Sequence, residues 1–258
     1  MKKILIKTFN ILPRGYLKNK IRCYGFNLFN SLADFKSYYK NNHFSFKFKN
    51  GIIVKSYYEM CGDLKTPAKG YLKYYMPKEG DTIVDCGAYG GAFSLYAAKL
   101  VGDNGKVVAF EPDKENYKLL LRNIELNNLK NVIALNKGVW SKNTILPFDN
   151  IHAGTSSFFS DGRKGSFIDT EVVTLDKELE RIGIRKVDFI KMDVEGAEIE
   201  AIKGAEKILK NNNVNLAIAS YHILNGEKTC FEVEKLLLAF GYKVETSFSQ
   251  HLTTYGTK

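Results

Sequence analysis

No apolar run in the 258 residues approaches the roughly 18 needed to cross a bilayer, so no membrane-spanning helix is expected. Residues 1–12 carry early lysines, but Lys7 and Asn10 interrupt the apolar stretch. No small-residue cleavage site follows, so a secretory leader is not expected either. Cysteine is scarce. Cys23, Cys61, Cys86 and Cys230 form no C-x-x-C and no metal-type spacing. That points to a reduced, intracellular setting, with Cys86 a small buried residue. Two histidines and a carboxylate at close spacing are also missing, so no metal site is expected. There is no internal repeat and no low-complexity tract. The first third is poor in acid: residues 1–80 hold 16 Lys and Arg against 4 Asp and Glu, and the remainder holds 22 against 24. All the excess positive charge therefore lies in a region also rich in Tyr and Phe. Such a surface suits an anionic partner.

What is present is an ordinary globular composition, 45% hydrophobic and 26% charged, long enough for one large domain with an extension. The most telling segment is Val84-Asp85-Cys86-Gly87-Ala88-Tyr89-Gly90-Gly91. It closes a short apolar run and opens a helical pattern. About twenty residues after the glycines, Glu111 closes a second apolar run, Val107 to Phe110, just before Pro112. A strand, a glycine turn, a helix and an acid at the end of the next strand make a nucleotide-binding half-unit. Glycine lets backbone approach a ligand with no Cβ in the way. An ionised carboxylate offers only acceptors, which suits a pair of ribose hydroxyls. The dinucleotide spacing G-x-G-x-x-G is broken here, and Asp85 would repel a pyrophosphate. A carboxylate at that place suits a cationic ligand, such as the amino group and sulfonium of S-adenosylmethionine.

The rest of the chain gives the order of elements. Residues 1–42 read as short basic helices, with Pro13 and Gly15 breaking the first and Ser31 capping a segment from Leu32 to Tyr39. Phe44, Phe46 and Phe48 alternate with Ser45 and Lys47, and Asn50-Gly51 then signals a hairpin into Ile52–Val54. Pro67 starts a short helix to Tyr75. From Thr82 onward strands and helices alternate. Strands are expected at 82–85, 106–110, 132–136, 187–192 and 214–220, with helices at 91–100, 114–127, 175–182 and 197–209. Residues 137–173 carry turn signals and short β-like pieces. Thr229 caps a helix to Phe240, with Gly241 as its stop. Segments 242–246 and 252–255 form a closing antiparallel pair. The βα alternation argues for a doubly wound sheet with ligands at the carboxyl ends of its strands.

A second cluster lies at one such end, Ile190-Lys191-Met192-Asp193-Val194-Glu195-Gly196-Ala197-Glu198. Asp193 and Glu195 fall at the carboxyl edge. A carboxylate there can orient a hydroxyl, accept its proton or hold a cation. His222 follows the next strand on the same edge and can serve as a base. His43, His152 and His251 show no comparable placement.

Asp85-Cys86-Gly87-Ala88…Gly91, Ala109-Phe110-Glu111-Pro112, Asn127-Asn128-Leu129, Gly154-Thr155-Ser156-Ser157 and Lys191-Met192-Asp193-Val194-Glu195-Gly196-Ala197-Glu198 together resemble the FkbM family of S-adenosylmethionine-dependent methyltransferases. The resemblance covers roughly residues 80–225. It implies the class I fold, an α/β, doubly wound, Rossmann-like seven-stranded sheet with the last strand antiparallel. Residues 1–78 would be a basic N-terminal extension of helices and a β-hairpin, and residues 79–258 the methyltransferase domain. It also implies O-methylation of a hydroxyl on a sugar, a glycan or a related small acceptor, with S-adenosyl-L-methionine as cofactor. By the resemblance, Asp85, Gly87, Ala88, Tyr89 and Gly91 line the methionine portion, and Glu111 with Pro112 holds the ribose. Asn136, Lys137 and Gly138 bound the adenine. Asp193 lies beside the methyl group, with Glu195 and His222 as further catalytic residues. Gly154–Ser157 would be a loop near the substrate. Tyr89 stands where the family usually has Asn, and Ala219-Ser220 where an acid often precedes the histidine.

The basic third would then recruit a lipid-pyrophosphate glycan or dock the enzyme on an anionic membrane, which makes the protein cytoplasmic and peripheral at the inner membrane face. A homodimer through the aromatic N-terminal region is a further expectation. The competing readings are a nucleic-acid methyltransferase, a non-catalytic cofactor-binding adaptor and a nicotinamide oxidoreductase. The first lacks its signatures: all five prolines are isolated, and no Pro-Cys pair is present. The broken glycine spacing disfavours the last.

Overall fold

A computed structural model describes residues 15–30, 33–65, 70–149, 167–224, 226–248 and 251–258. The chain divides into two compact units, Met1–Lys65 and Thr66–Lys258. Residues 70–78, which precede the expected boundary at 78/79, pack within the second unit: Tyr71 and Leu72 are buried, and the Tyr255 hydroxyl donates to Gly70 O.

In the first unit, helix α1 (Tyr16–Phe29) packs on an antiparallel meander, β1 (Phe35–Lys40), β2 (His43–Phe48) and β3 (Ile53–Ser56). The helical segment expected over Leu32–Tyr39 is instead strand β1. Its burial alternates, with Phe35 and Ser37 inside and Lys36 and Tyr38 outside. A period of two buries Phe35 against Phe46 and Phe48, a packing that a helix could not offer. Ser31, its expected cap, lies outside the described residues. Asn27 pins the helix to β1: its Nδ2 donates to Ser37 O and its Oδ1 accepts from Ser37 N, both at 2.8 Å. Asn41 and Asn42 both take positive φ, 53° and 59°, and close the first hairpin with the two-residue turn that favours Asn. The second hairpin turns at Asn50-Gly51 as expected. A short helix α2 (Cys61–Lys65) ends this unit.

The second unit is built on a seven-stranded sheet. Its central parallel strands are β4 (Thr82–Cys86), β5 (Lys106–Phe110), β6 (Val132–Leu135), β10 (Phe189–Met192) and β11 (Asn215–Ala219). The spatial order is β14-β15-β11-β10-β4-β5-β6, where β14 is Lys243–Phe248 and β15 is Leu252–Thr257. Strand β15 runs antiparallel to both neighbours, so the last strand is inserted reversed between β14 and β11. The chain changes direction between β4 and β10. At such a switch point the loops on either side part and leave a crevice at the carboxyl edge. A smaller sheet of β7 (Gly138–Val139), β8 (Thr144–Asp149) and β9 (Phe167–Val173) fills the stretch of turn signals, and β12 (Ile223–Leu224) pairs antiparallel with β13 (Glu227–Lys228). Gly154–Ser157 lie outside the described residues.

The helices cover both faces: α3 (Ala92–Val101), α4 (Lys114–Leu126), α5 (Leu175–Arg181), α6 (Glu198–Lys203), α7 (Glu206–Asn211) and α8 (Cys230–Ala239). Asp113 caps α4 by accepting from the N–H groups of Glu115 and Asn116. Three expectations need correction. No helix forms over residues 70–75, which are turns. Thr229 precedes α8, but its hydroxyl makes no capping bond. The single helix expected over Ala197–Leu209 is two, broken at Gly204-Ala205. The break has a cause in packing. The Asp176 carboxylate accepts from Lys207 N and Ile208 N at 2.8 and 2.9 Å and so starts α7, while Asp176 N donates to Gly204 O. The helix-turn at Gly204 lies against the Trp140 carbonyl, where an added Cβ would come within 2.0 Å of the oxygen.

Gly204→Ala is therefore expected to destabilise the fold by about 3 kcal/mol, because backbone must move on one side or the other. Urea denaturation checks it, and a loss under about 0.5 kcal/mol, the range of a neutral surface change, would contradict the close approach.

Candidate active site

The glycine turn after β4 is shaped by contacts that only glycine allows. Gly87 has φ +81°, and a Cβ on it would lie 1.9 Å from Asp193 O. Gly91 has φ +92° and faces Leu120 Cδ1 at a separation that a Cβ would close to 2.6 Å. Gly87 N and Ala88 N both donate to Phe110 O, at 3.0 and 2.9 Å, which ties the turn to the end of β5. Tyr89 adopts φ +50°, a left-handed conformation that asparagine accepts more readily than tyrosine. Its N–H donates to Glu111 Oε2 at 2.6 Å.

Glu111 thus bridges two loops, because its Oε1 also accepts from Asp113 N at 2.9 Å. It is 5% exposed. Burial pushes its carboxyl up to about 7, against the two backbone donors that pull it down. Asn136 supports the same turn by donating from Nδ2 to the carbonyls of Glu111 and Pro112. Lys137 is turned to Glu171 and Glu178, at 2.8 and 3.3 Å, and Gly138 is buried in β7. Asn136 and Pro112 are therefore assembled with Glu111, and Lys137 is held by a separate ion-pair cluster.

Asp85 and Lys191 are register partners on the neighbouring parallel strands β4 and β10. Adjacent residues in register share a face of the sheet, so their side chains meet there. Lys191 Nζ lies 3.1 Å from Asp85 Oδ1 and donates to Gly87 O at 2.7 Å. The other carboxylate oxygen of Asp85 accepts from Ser94 Oγ at 2.5 Å. Both charged side chains are enclosed, Asp85 at 0% and Lys191 at 6% exposure. Burial works against the ammonium, but Asp85 and Asp193 outweigh it and hold Lys191 above the usual lysine range. Asp85 therefore forms the charged floor of the turn.

Above that floor the loops after β10 and β11 bring together Asp193, Glu195, Glu198 and His222. His222 Nε2 is 3.4 Å from Glu195 Oε2 and 3.9 Å from Asp193 Oδ1, and its Nδ1 is 3.0 Å from Glu198 Oε1. Glu198 is fully enclosed and accepts from Val194 N and Gly196 N, which shapes the loop that carries Glu195. Glu195 itself sits at φ +52°. Burial disfavours the imidazolium, yet Glu195, Glu198 and Asp193 more than offset it and raise His222 to about 10. These three carboxylates favour the imidazolium form of His222.

Two aromatic residues and a third ring complete the wall, none of them singled out by sequence. The Tyr71 hydroxyl donates to Asp193 Oδ2 at 2.8 Å and meets His251 Nε2 at 3.0 Å. Burial, then Asp193, raises the Tyr71 phenol far above its usual range, so it remains a donor. His251 packs edge-on to Tyr71 and against Tyr221, both at 5.2 Å between centroids. Burial holds its imidazole below the ordinary value. The expectation that His251 has no site placement is thus overturned. Tyr71 comes from before the first core strand and His251 from the β14–β15 turn, so neither shared a motif with Asp193.

The buried pair gives this site a direct test. Lys191→Met should destabilise the protein by about 3–5 kcal/mol, since it leaves the Asp85 carboxylate enclosed without its cation. The loss should shrink in Asp85→Asn/Lys191→Met, and thermal denaturation of the two variants would reveal independent, additive effects if the pair were not coupled.

Comparison with known proteins places the arrangement. Residues 85–244 match the methyltransferase FkbM domain family. The methyltransferase sdnD of Sordaria araneosa is 32% identical over 158 residues, covering 48% of this chain and 60% of the relative. Methyltransferase 1 of Beauveria bassiana is 25% identical over 145 residues, covering 48% and 58%. The chain therefore spans about 60% of the length of the curated relatives it matches. Among solved structures, methyltransferase FkbM from Methylobacillus flagellatus aligns with a TM-score of 0.56 at 19% identity, over 74% of this chain and 48% of that one. Aeropyrum pernix fibrillarin, solved with natively bound S-adenosyl-L-methionine, aligns at 0.52 and 11% identity, over 87% and 100%. These likenesses establish the fold. The family match covers well over half the chain, and on it the chain belongs to the FkbM family of methyltransferases, whose cofactor is S-adenosylmethionine.

Proposed function

We propose that this protein transfers the methyl group of S-adenosylmethionine to a hydroxyl oxygen of a sugar, a glycan or a related small acceptor. The observation that carries the reading is Asp193. It stands beside the glycine turn, with Oδ2 fixed by Tyr71 and a buried Oδ1 that has no hydrogen-bond partner among the described residues. An oriented, half-satisfied carboxylate at the carboxyl edge is what an incoming hydroxyl needs. The sulfonium is an activated leaving group, so holding the hydroxyl oxygen in line with the methyl carbon supplies much of the rate. The hydroxyl donates to Asp193 and loses its proton in that direction as the new C–O bond forms. Glu111 receives the two ribose hydroxyls once its carboxyl is ionised, and the glycine turn lies along the methionine portion. Asp85 acts from beneath, through Lys191, by fixing the carbonyl of Gly87. The same carboxylate-rich wall favours a cationic cofactor.

In the first unit, α1 offers a surface for the expected anionic membrane. Leu17, Ile21, Tyr24 and Leu28 recur at helical spacing and are 63, 38, 71 and 58% exposed. The helix carries Lys18, Lys20 and Arg22 and no acid. An exposed apolar stripe with basic flanks suits the interface of an anionic bilayer. Binding to phosphatidylglycerol vesicles in sedimentation assays should fall with Tyr24→Glu and with added salt. Equal binding by neutral vesicles would argue against this docking.

Two outcomes test the chemistry. Cofactor affinity should weaken several-fold as pH falls from 8 to 6, because the Glu111 carboxyl, raised to about 7, becomes protonated and loses acceptors. In Glu111→Gln the affinity should be weak and flat with pH; calorimetry at three pH values decides, and a parent that is equally flat would remove Glu111 from the ribose site. Asp193→Asn should lower turnover by about 100-fold while leaving S-adenosylhomocysteine affinity within a few-fold of the parent. Retained turnover on an accepted sugar substrate would sink the assignment of Asp193.

A further inference from the structure

Asp193, Glu195 and His222 come from two different loops, after β10 and after β11, yet each presents one ligand-type atom within 4.8 Å of the other two. The separations from His222 Nε2, 3.4 Å to Glu195 and 3.9 Å to Asp193, are near the span of two ligands around one ion. With bonds of about 2.0–2.2 Å, neighbouring ligands of a small divalent cation stand roughly 3.0–3.5 Å apart. The three atoms, within 4.8 Å of one another, would draw together around the ion.

The charges point the same way. Lys191 is committed to Asp85 in the floor. Asp193, Glu195 and Glu198 then surround a single imidazole, and whichever form that ring takes, negative charge is left over. Polar atoms are left over too. Asp193 Oδ1 and Oε2 of the fully enclosed Glu198 are buried and make no hydrogen bond among the described residues, while the two nitrogens of His222 meet only carboxylates, Glu195 and Glu198. Buried polar atoms without partners are rare and need an explanation. The loop is built to aim these groups inward: Glu195 occupies a left-handed backbone position, and Glu198 fixes the turn through Val194 N and Gly196 N.

We infer that Asp193, Glu195 and His222 bind one divalent metal ion. Two carboxylates and an imidazole form a hard-to-borderline donor set that suits magnesium, manganese, iron(II) or zinc. His222 ligates through Nε2, and Glu198 lies against its Nδ1 edge. A carboxylate behind a ligating imidazole is a common orienting partner. Three protein ligands would leave coordination positions open. An acceptor hydroxyl bound there becomes more acidic next to Asp193. The metal's role in catalysis rests on the methyl-transfer reading above; the metal site itself does not.

The test is electron paramagnetic titration of the full chain with manganese(II) chloride, with and without S-adenosylhomocysteine. One manganese per chain is expected, at micromolar affinity and displaceable by magnesium or zinc. Asp193→Asn and His222→Gln should each weaken it by at least about tenfold. Glu195→Gln, at a half-exposed position, repeats the test in a variant that should fold normally, and circular dichroism melting checks all three. Glu111→Gln should bind manganese like the parent while losing the cofactor, so failure of the cofactor reading shows up separately. No manganese bound at about 1 mM in either state, or binding that survives all three ligand substitutions, overturns the proposal.

Discussion

The pairing of Asp85 with Lys191 across β4 and β10 is the constraint on which the rest of the site depends. Two enclosed charges on adjacent strands hold only if the register is right, because a slip of one residue would send each side chain to the opposite face. Desolvation of such a pair is expensive, and hydrophobic replacements are often no less stable. Its presence in the most buried strand of the sheet, among Phe189, Ile190 and Met192, is therefore better explained by position than by stability. Lys191 reaches past Asp85 to the carbonyl of Gly87 and so fixes the turn that approaches Asp193. One ion pair locks the first strand, the glycine turn and the fourth parallel strand into a single piece.

From that piece the two halves of the site follow as neighbours. On one side the turn reaches Glu111 through Tyr89 N and the end of β5 through Phe110 O. On the other, Asp193 N donates to Cys86 O, which continues the ladder between β10 and β4 to the edge of the crevice. The carboxylates of Asp193 and Glu111 thus flank one glycine turn, Glu111 held by the N–H groups of Tyr89 and Asp113 and Asp193 by the buried Tyr71 hydroxyl. A site held this way has little freedom to lose when a ligand enters.

Much of this was legible in the sequence, and the part that was not has physical reasons. Glycines, the acids at strand ends and the alternation of elements are local signals, and they sufficed for a doubly wound sheet with Asp85, Glu111 and Asp193 at its strand ends; the seven strands and the reversed last one followed from the family resemblance. What sequence cannot carry is contact between residues far apart in the chain. Tyr71 meets Asp193 across 122 positions and His251 meets Tyr71 across 180. The role of His222 depended on Glu198, which reads as a helix-terminus charge until the loop is seen to fold it inward. Lys137 follows the third strand as a site residue would, but Glu171 and Glu178 come from β9 and α5 to claim it. The helix break at Gly204 is set by Trp140, 64 positions earlier, and propensity alone favours continuity. The misread segment 32–39 shows the converse: its alternation of Phe35, Lys36, Ser37 and Tyr38 was a strand signal already present, obscured by its placement after a basic helical stretch.

The surplus of negative charge also bears on turnover under the proposed chemistry. With no cation bound at Asp193, Glu195 and His222, S-adenosylmethionine would enter with an ammonium, a carboxylate and a sulfonium, one net positive charge, and meet a wall in which Asp193, Glu195 and Glu198 outnumber the single imidazole of His222, over a floor already neutralised by Lys191. Methyl transfer converts the sulfonium into a neutral thioether, so the product has lost the charge that the wall attracts. The acceptor oxygen, which sheds a proton towards Asp193, leaves that carboxylate less negative at the same moment. Both changes weaken the hold on products without any movement of the fold. A partly buried site gains from such a device, because interactions that persist after the reaction slow release. The carboxylates that draw the cofactor in are thus the groups whose attraction the chemistry itself diminishes.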